Sequence, residues 1–194
     1  TPEADPRFRA LLTEVREHFG GQVWWGQPYT GSMQASPSFL DAVDGIYLLW
    51  SAPLAQNPSA TIDEMAMEAG RKLDTDILPF AISIQKPVIV APVYTSAGGS
   101  VTGCVSAPAG GCVDWTALSR PNPDIPSVTL DLGGQANAYQ AVLTAVNDRP
   151  WLSGFVSRGF YPSAMLADKS ASIRGKPAAE LLTYWFAQMQ GIGQ

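Results

Sequence analysis

The 194-residue sequence is poor in the residues from which metal centres and nucleophilic sites are usually built. It contains two cysteines and one histidine, whereas a structural zinc site needs about four ligands. No Walker-type phosphate loop, GxSxG elbow or paired metal-ligand motif occurs. The sequence therefore predicts neither a metal nor a cofactor.

Charge and long apolar runs are also scarce. Charged residues make up 15% of the chain, its formal net charge is -5, and no basic cluster occurs, so we expect neither a nucleic-acid nor an anionic-membrane partner. No apolar run approaches the ~20 residues that span a bilayer. The 46% of hydrophobic residues is enough to build a substantial core, so we expect residues 1–194 to form one domain or a large piece of one.

Both cysteines fall in one short segment, GCVSAPAGGC, as Cys104 and Cys112. The glycine-, alanine- and proline-rich stretch between them folds back easily. The residues leave two interpretations open, a disulfide formed in an oxidising compartment or two free thiols, and the spacing favours the disulfide.

Helical and strand patterns alternate along the chain. A capping box at Thr61 and Glu64, and prolines at the first turn of several segments, mark where helices begin. Helices are predicted at 5–19, 36–44, 61–73 with an extension to 85, 135–148 and 176–190; strands are predicted at 22–29, 45–50, 86–94 and 151–160. Strands separated by helices run parallel. Four of them form either a small open α/β sheet or half of an eight-stranded (β/α) barrel, which typically takes ~250 residues.

One long irregular segment, residues 97–134, separates the third strand from the next helix. Loops of this length are usually functional lids or binding loops. The predicted disulfide lies within it, so we expect a stapled loop over the end of the sheet.

Five segments, in this order and spacing, resemble a known family: DPRFRALLTEVREHFGGQVWWG, FLDAVDGIYLLW, KPVIVAPVY, QANAYQAVLTAVNDRPWLSGF and IRGKPAAELLTYWF. Together they resemble the C-terminal half of clan A glycoside hydrolases, most closely the β-mannanase-like family 113. The resemblance covers nearly the whole chain. It implies an α/β fold in which the four strands are strands five to eight of a TIM-type (β/α) barrel, that is, a half barrel.

The resemblance also implies where catalytic residues would be expected. Retaining glycosidases use two carboxylates about 5 to 5.5 Å apart; in the family one ends strand four, before this chain begins, and the nucleophile ends strand seven. That second position falls on Pro92, within one residue, and Ala91 and Val93 are equally inert. No catalytic residue is therefore predicted. Asp114, on the long loop, is a possible substitute, although a solvated loop aspartate is the simpler interpretation.

Aromatic residues near strand ends and on the long loop are candidates for sugar contact, because a flat ring can cover the apolar face of a sugar. Ordinary core packing is the alternative for many of them. The predicted substrate-binding residues are Trp50, Tyr94, Trp115, Arg158 and Tyr161.

Two functions remain open on the sequence. The first is a catalytically degenerate, secreted or cell-surface protein that binds carbohydrate or has a structural role. The alternative is an active glycosidase whose acid/base lies on an N-terminal half outside this chain. In either case the first and last strands have open edges, so we expect an N-terminal half barrel or a companion chain to complete the barrel.

Overall fold

Four parallel strands form the centre of the protein in a computed structural model that describes residues 5–31, 33, 37–121, 125–162, 164–165 and 167–191. The strands are β1 (Trp24–Pro28), β2 (Gly45–Trp50), β3 (Val88–Pro92) and β4 (Gly154–Phe155). They lie in the order β1-β2-β3-β4, and each pairs in parallel with the next. Successive strands are thus neighbours, as in a barrel built from consecutive strand-helix units. The predicted parallel α/β arrangement is confirmed.

The helices connect and flank these strands. They are α1 (Asp5–His18), α2 (Ile62–Lys72), α3 (Leu78–Ile84), α4 (Trp115–Leu118), α5 (Leu132–Asn147) and α6 (Pro177–Met189), with 3-10 turns at Ser38–Ala42 and Ser100–Thr102 and a π-helical turn at Leu73–Ile77. The predicted capping box is present: the N–H of Glu64 donates to the Thr61 hydroxyl, and the N–H of Thr61 donates to the Glu64 carboxylate. The helix predicted at 36–44 is only a short 3-10 turn, and its predicted cap, Ser36, lies outside the described residues.

The last strand is much shorter than the predicted 151–160. Three backbone N–H groups outside its ladder still donate to β3, those of Ser153, Val156 and Arg158. The predicted extension to residue 160 is not possible, because Gly159 adopts a φ of 88° and a Cβ there would clash with the carbonyl oxygen of Ala171. Only glycine tolerates this close approach, so the chain bends away at this point.

The two faces of the sheet have different environments. Side chains of Ile46, Leu48, Trp50, Val88 and Val90 are at most 1% exposed and pack in the main core beneath the helices. The opposite face carries Trp24, Tyr47, Leu49 and Ile89, all partly exposed. A parallel sheet normally has both faces covered. The partly exposed face is the one that would line the interior of a closed barrel.

Exposed apolar side chains concentrate at the two ends of the sheet. Of the nine large hydrophobic side chains that are exposed among the described residues, seven lie in or just after α1, after β4, or in α6: Leu11, Phe19, Val156, Phe160, Met165, Tyr184 and Met189. The other two are Met67 and Ile82. In a complete barrel, α1 and α6 would each contact a further helix, so this distribution matches an interrupted ring.

A buried ion pair joins the segments that follow the strands. The Nζ atom of Lys176 lies 2.9 Å from Oδ2 of Asp168, and the two side chains are 2% and 3% exposed. The same ammonium donates to the hydroxyl of Ser96 at 2.8 Å and to the carbonyl of Ser170 at 3.0 Å. Burial lowers the pKa of Lys176, and the Asp168 carboxylate opposes that shift. Ser96 follows β3, whereas Asp168, Ser170 and Lys176 all lie in the connection between β4 and α6, so one ammonium group holds the segments after β3 and β4 together.

Replacing Asp168 with Asn should destabilise the protein by about 3 to 5 kcal/mol, because the ammonium of Lys176 would remain buried without its counter-charge. Urea denaturation with midpoint and slope measured separately would show this. Asp41→Asn is the matched control, since Asp41 pairs with Arg9 while 69% exposed, and it should cost no more than about 1 kcal/mol. Equal effects of the two changes would contradict the assigned role.

A second prediction concerns Glu68, whose carboxylate lies 2.7 Å from Arg71 and 3.1 Å from Lys72. Hydrogen bonds from Arg71 lower the pKa of Glu68 from 4.5 to about 2. A lowered carboxylate pKa stabilises the fold above the unfolded value, and the stabilisation is lost as the pH falls through the folded value. Glu68→Gln should therefore cost up to about 1 kcal/mol at pH 7, and the difference should disappear between about pH 4.5 and 2. Urea midpoints over this pH range would measure it, with Glu17→Gln on exposed α1 as the control; a constant difference would contradict it.

Candidate binding site at the carboxyl edge of the sheet

A cavity lies where β2 and β3 end. The carboxyl ends of parallel strands are where sites are built in both open sheets and barrels. The cavity has a volume of about 220 Å³. It is lined by Ser51, Val93, Tyr94, Thr95, Ser100, Gly103, Cys104, Val105, Val113 and Leu118. Its walls thus come from the residues directly after two strands and from the long loop.

The long loop is a folded lobe. Within it, Ala97, Val105, Leu118 and Val128 form a buried apolar cluster separate from the main core. We call residues 97–130 the loop lobe. Two backbone hydrogen bonds fasten it to neighbouring segments, Leu54 N–H to Val101 O and Ala171 N–H to Leu118 O, both at 2.8 Å. A third, Gly98 N–H to Thr129 O at 2.9 Å, joins the two ends of the lobe to each other. The lobe therefore covers the sheet edge in a fixed position.

The predicted disulfide is present. Cys104 and Cys112 are joined, with their Cα atoms 5.1 Å apart. The bond closes a hairpin-like tip in which the Val113 N–H donates to the Val105 carbonyl at 2.8 Å. Cys104, Val105 and Val113 all line the cavity, so the disulfide fixes one of its walls.

Hydroxyl groups supply the polar part of the lining. The backbone N–H of Thr95 donates to Oγ of Ser100 at 3.0 Å, which leaves the Ser100 hydroxyl hydrogen able to donate. Thr95 is 1% exposed, and its own Oγ1 has no hydrogen-bond partner among the described residues. Ser51 completes the set. Among the residues that the structure describes, none of those lining the cavity is charged, and the lining combines hydroxyl-bearing and aliphatic residues.

The end of β3 presents no carboxylate to this edge. Pro92 is in register with Trp50, and side chains at paired positions of parallel strands lie on the same face, here the helix-covered one. Alternation then places Ala91 and Val93 on the inner face, and Val93 lines the cavity. The inner-facing positions are therefore the two neighbours of Pro92, and both are aliphatic.

Asp114, the possible substitute, has a structural role. Its Oδ1 accepts hydrogen bonds of 2.7 Å from the backbone and from the hydroxyl of Thr116, so it caps α4. These hydrogen bonds lower the pKa of the exposed Asp114 carboxyl. A glycosidase proton donor needs a raised pKa, so Asp114 is not suited to donate a proton, and it is not among the residues that line the cavity.

The two aromatic residues predicted at the ends of β2 and β3 are buried. Trp50 is 0% exposed; its ring centroid lies 4.9 Å from that of Tyr29, and its indole N–H donates to the Tyr94 hydroxyl at 2.8 Å. Tyr94 in turn donates to the carbonyl of Ala52 at 2.8 Å. The prediction that Trp50 stacks on a sugar is therefore corrected, because its position in the strand turns the indole towards the helices. Tyr94 lines the cavity, but its hydroxyl is already used inside the protein.

Two further predicted contact residues, Arg158 and Tyr161, are not among the residues that line the cavity. Arg158 is half-buried beside the end of β3, where its N–H donates to the Pro92 carbonyl at 3.3 Å and its charge opposes the rise in the pKa of Tyr47 that burial causes. Tyr161 is half-buried in the segment after β4. Trp115 begins α4, but its side chain lies outside the described part of the structure.

Sequence patterns missed the hydroxyl groups of Ser51, Thr95 and Ser100. Serine and threonine occur in most loops and carry no spacing signal of their own. The available signal was positional, since Ser51 and Thr95 come directly or almost directly after buried strands.

Over the described ranges, no three or more His, Cys, Asp or Glu side chains are grouped so as to hold a metal ion, and no described helix combines the length and apolarity needed to cross a membrane.

Removing the disulfide by changing Cys104 and Cys112 together to Ser should lower the free energy of unfolding by about 2 to 3 kcal/mol, because closure of the short loop no longer restricts the unfolded chain. Urea denaturation of the double variant and of the parent under non-reducing conditions measures the difference. Peptide mapping without reduction provides an independent check: two alkylatable thiols in the native protein would show that the bond is not formed.

Sequence comparisons give no relative: no family profile matches the chain, and no curated protein does. Solved structures do match. A glycoside hydrolase family 113 β-1,4-mannanase matches with a TM-score of 0.64 and 22% identity over 94% of this chain and 52% of its own. The family 113 β-mannanase from Alicyclobacillus acidocaldarius has a TM-score of 0.60 and 21% identity, over 95% of this chain and 52% of its own. The β-glucuronidase from Bifidobacterium dentium has a TM-score of 0.57 and 16% identity, over 94% and 27%.

These matches concern the fold. The chain spans about half the length of the mannanases, since it covers 52% of each. Half of an eight-stranded barrel contains four strands, and the sheet has four. The exposed inner face and the apolar residues at both ends of the sheet agree with that division. The chain therefore has the fold of one half of a glycoside hydrolase TIM barrel.

Proposed function

We propose that the chain is part of an extracellular, glycoside-hydrolase-like protein that binds carbohydrate without hydrolysing it. The observation that carries the proposal is the end of β3, where Ala91, Pro92 and Val93 occupy the region in which a retaining glycosidase carries its nucleophile. None of these side chains can form a glycosyl ester. The disulfide supports an oxidising, extracellular location.

The side chains at the carboxyl edge of the sheet are better suited to binding a carbohydrate than to hydrolysing it. Hydrolysis requires a proton donor and a nucleophile or base close to the scissile bond. The cavity is lined instead by serine residues, Ser51 and Ser100, whose hydroxyls donate and accept hydrogen bonds, and by aliphatic side chains. Ligand sites combine these two kinds of surface, in which a few polar groups set the orientation and apolar contact adds affinity.

Completion of the barrel forms part of the proposal. The inner-face residues Trp24, Tyr47, Leu49 and Ile89 are partly exposed, and both β1 and β4 have a free edge. Free edges and apolar surface of this kind need a partner. The mannanases carry a second half of similar length in the same polypeptide, so we propose that an N-terminal half barrel, covalently joined or as a companion chain, covers this face.

The natural polypeptide should bind a β-mannan or another β-glycan but release no reducing sugar from it. Affinity electrophoresis in glycan-containing gels measures the binding, and a reducing-sugar assay measures the hydrolysis. Hydrolysis by the unmodified protein would support the alternative, an active glycosidase with its acid/base on the other half.

Pro92→Glu and Val93→Glu are the matched variants for this test. In the 194-residue chain neither should create activity, because a retaining mechanism would still lack its proton donor. Recovery of hydrolysis by Val93→Glu alone, in the natural polypeptide, would show that the other half supplies an acid/base and that the inner-facing position is the one that matters. Absence of binding to every glycan tested would reject the proposed function.

A further inference from the structure

Unpaired polar atoms in the interior of the protein concentrate at one place. Among the described residues, four buried side-chain oxygen atoms have no hydrogen-bond partner, and three of them are Oγ1 of Thr95, Oε1 of Gln135 and Oγ of Ser172. These three residues are at most 1% exposed. Buried polar groups are nearly always paired, either with the protein or with ordered water, so three unpaired oxygens in one region indicate a bound molecule.

Hydrogen bonds of Gln135 show that the three residues are neighbours. Nε2 of Gln135, near the start of α5, donates to the carbonyl of Tyr94 at 2.8 Å and to the carbonyl of Ser172 at 3.4 Å. Thr95 directly follows Tyr94 in the chain. One amide side chain therefore joins the two segments that carry the unpaired hydroxyls, the end of β3 and the connection between β4 and α6.

The orientation of the Gln135 amide follows from these two contacts. Its NH2 group faces two carbonyl oxygens, and turning the amide over would place Oε1 against them, which is unfavourable because all three oxygens are acceptors. Oε1 therefore requires a donor other than these backbone groups. The hydroxyls of Thr95 and Ser172 do not donate to it, since neither has a partner in the part of the chain that the structure describes.

Water is the molecule that fits this set of atoms. A water molecule donates to Oε1 of Gln135 and pairs with a hydroxyl in either direction, and internal waters typically make about three hydrogen bonds. A cation is disfavoured because the Lys176 ammonium lies 3.0 Å from the carbonyl of Ser170, two residues before Ser172, and like charges repel. A larger ligand has no access, since all three oxygens are buried.

We propose that Thr95, Gln135 and Ser172 form an internal water-binding site that joins the end of β3, the start of α5 and the connection between β4 and α6. The bound water is a structural part of the protein, because it links by hydrogen bonds the segments that the Lys176 ion pair also holds. This site goes beyond the proposed function and does not depend on it, since it is required whether or not the protein binds a glycan.

Oxygen-17 magnetic relaxation dispersion of the natural polypeptide measures long-lived internal water. In the double variant Thr95→Val/Ser172→Ala the dispersion amplitude should fall by about one water or more, because an internal water needs two to four polar partners and only Oε1 of Gln135 remains. Ser153→Ala, which changes an exposed serine, is the control and should keep the amplitude of the parent. Equal amplitudes in the parent and the double variant would overturn the proposal.

Urea denaturation distinguishes a hydrated site from unpaired hydroxyls. A hydroxyl bonded to internal water loses a hydrogen bond when it is removed, so Ser172→Ala and Thr95→Val should each lower the equilibrium constant for folding about fivefold. Removal of a hydroxyl without any partner would instead relieve its desolvation penalty and raise that constant. An unchanged or raised constant in both variants would contradict the proposed site.

A high-resolution crystal structure of the parent tests the site without any variant. Ordered water should lie within about 3.2 Å of Oε1 of Gln135 and of at least one of the two hydroxyls. Absence of density there would overturn the proposal and would leave the proposed glycan binding untouched, because the glycan assays do not depend on this site.

Discussion

The architecture of the carboxyl edge depends on the buried ammonium group of Lys176. An isolated charge in that position would be strongly destabilising, and it is tolerated because Asp168, the Ser96 hydroxyl and the Ser170 carbonyl surround it. These partners come from the segments after β3 and β4, which also hold the loop lobe. The cavity exists because these segments keep fixed positions relative to the strand ends. An apolar replacement could fill the same volume, but it would not specify which segments meet.

Sequence patterns predicted the regular elements well where local signals and burial agree. The predicted bounds of β2, GIYLLW, are those observed; a 3-10 turn at Ser38–Ala42 precedes the strand and loop residues follow it. Helix α5 begins three residues earlier than predicted, since Asp131 caps it by accepting a hydrogen bond from the N–H of Gly134 at 2.7 Å. The sequence predicts the later start because Gly133 and Gly134 are poor helix formers. The predicted end of β4 at residue 160 was too late, because the bend at Gly159 depends on its close approach to Ala171, which local patterns do not show.

The site was less predictable than the fold for a similar reason. The sequence indicated that β3 ends without a carboxylate, which is a local fact about Ala91, Pro92 and Val93. It did not indicate that Asp168 pairs with Lys176, because their spacing in an irregular segment has no periodicity. Nor did the sequence show whether Trp50, a residue type that often stacks on sugar rings, contacts a ligand or packs in the core. Which face of a strand a side chain occupies depends on register, and register becomes known only when the strands are paired.

The separate apolar cluster of the loop lobe has a consequence for how the protein can change over evolution. Because Ala97, Val105, Leu118 and Val128 pack with one another and not with the main core, substitutions among them alter the lobe without disturbing the packing beneath the sheet. Six of the ten residues that line the cavity belong to this lobe: Ser100, Gly103, Cys104, Val105, Val113 and Leu118. Ligand preference can therefore diverge rapidly between descendants of the same scaffold, while the strands and their covering helices stay under the stricter selection that a shared core imposes.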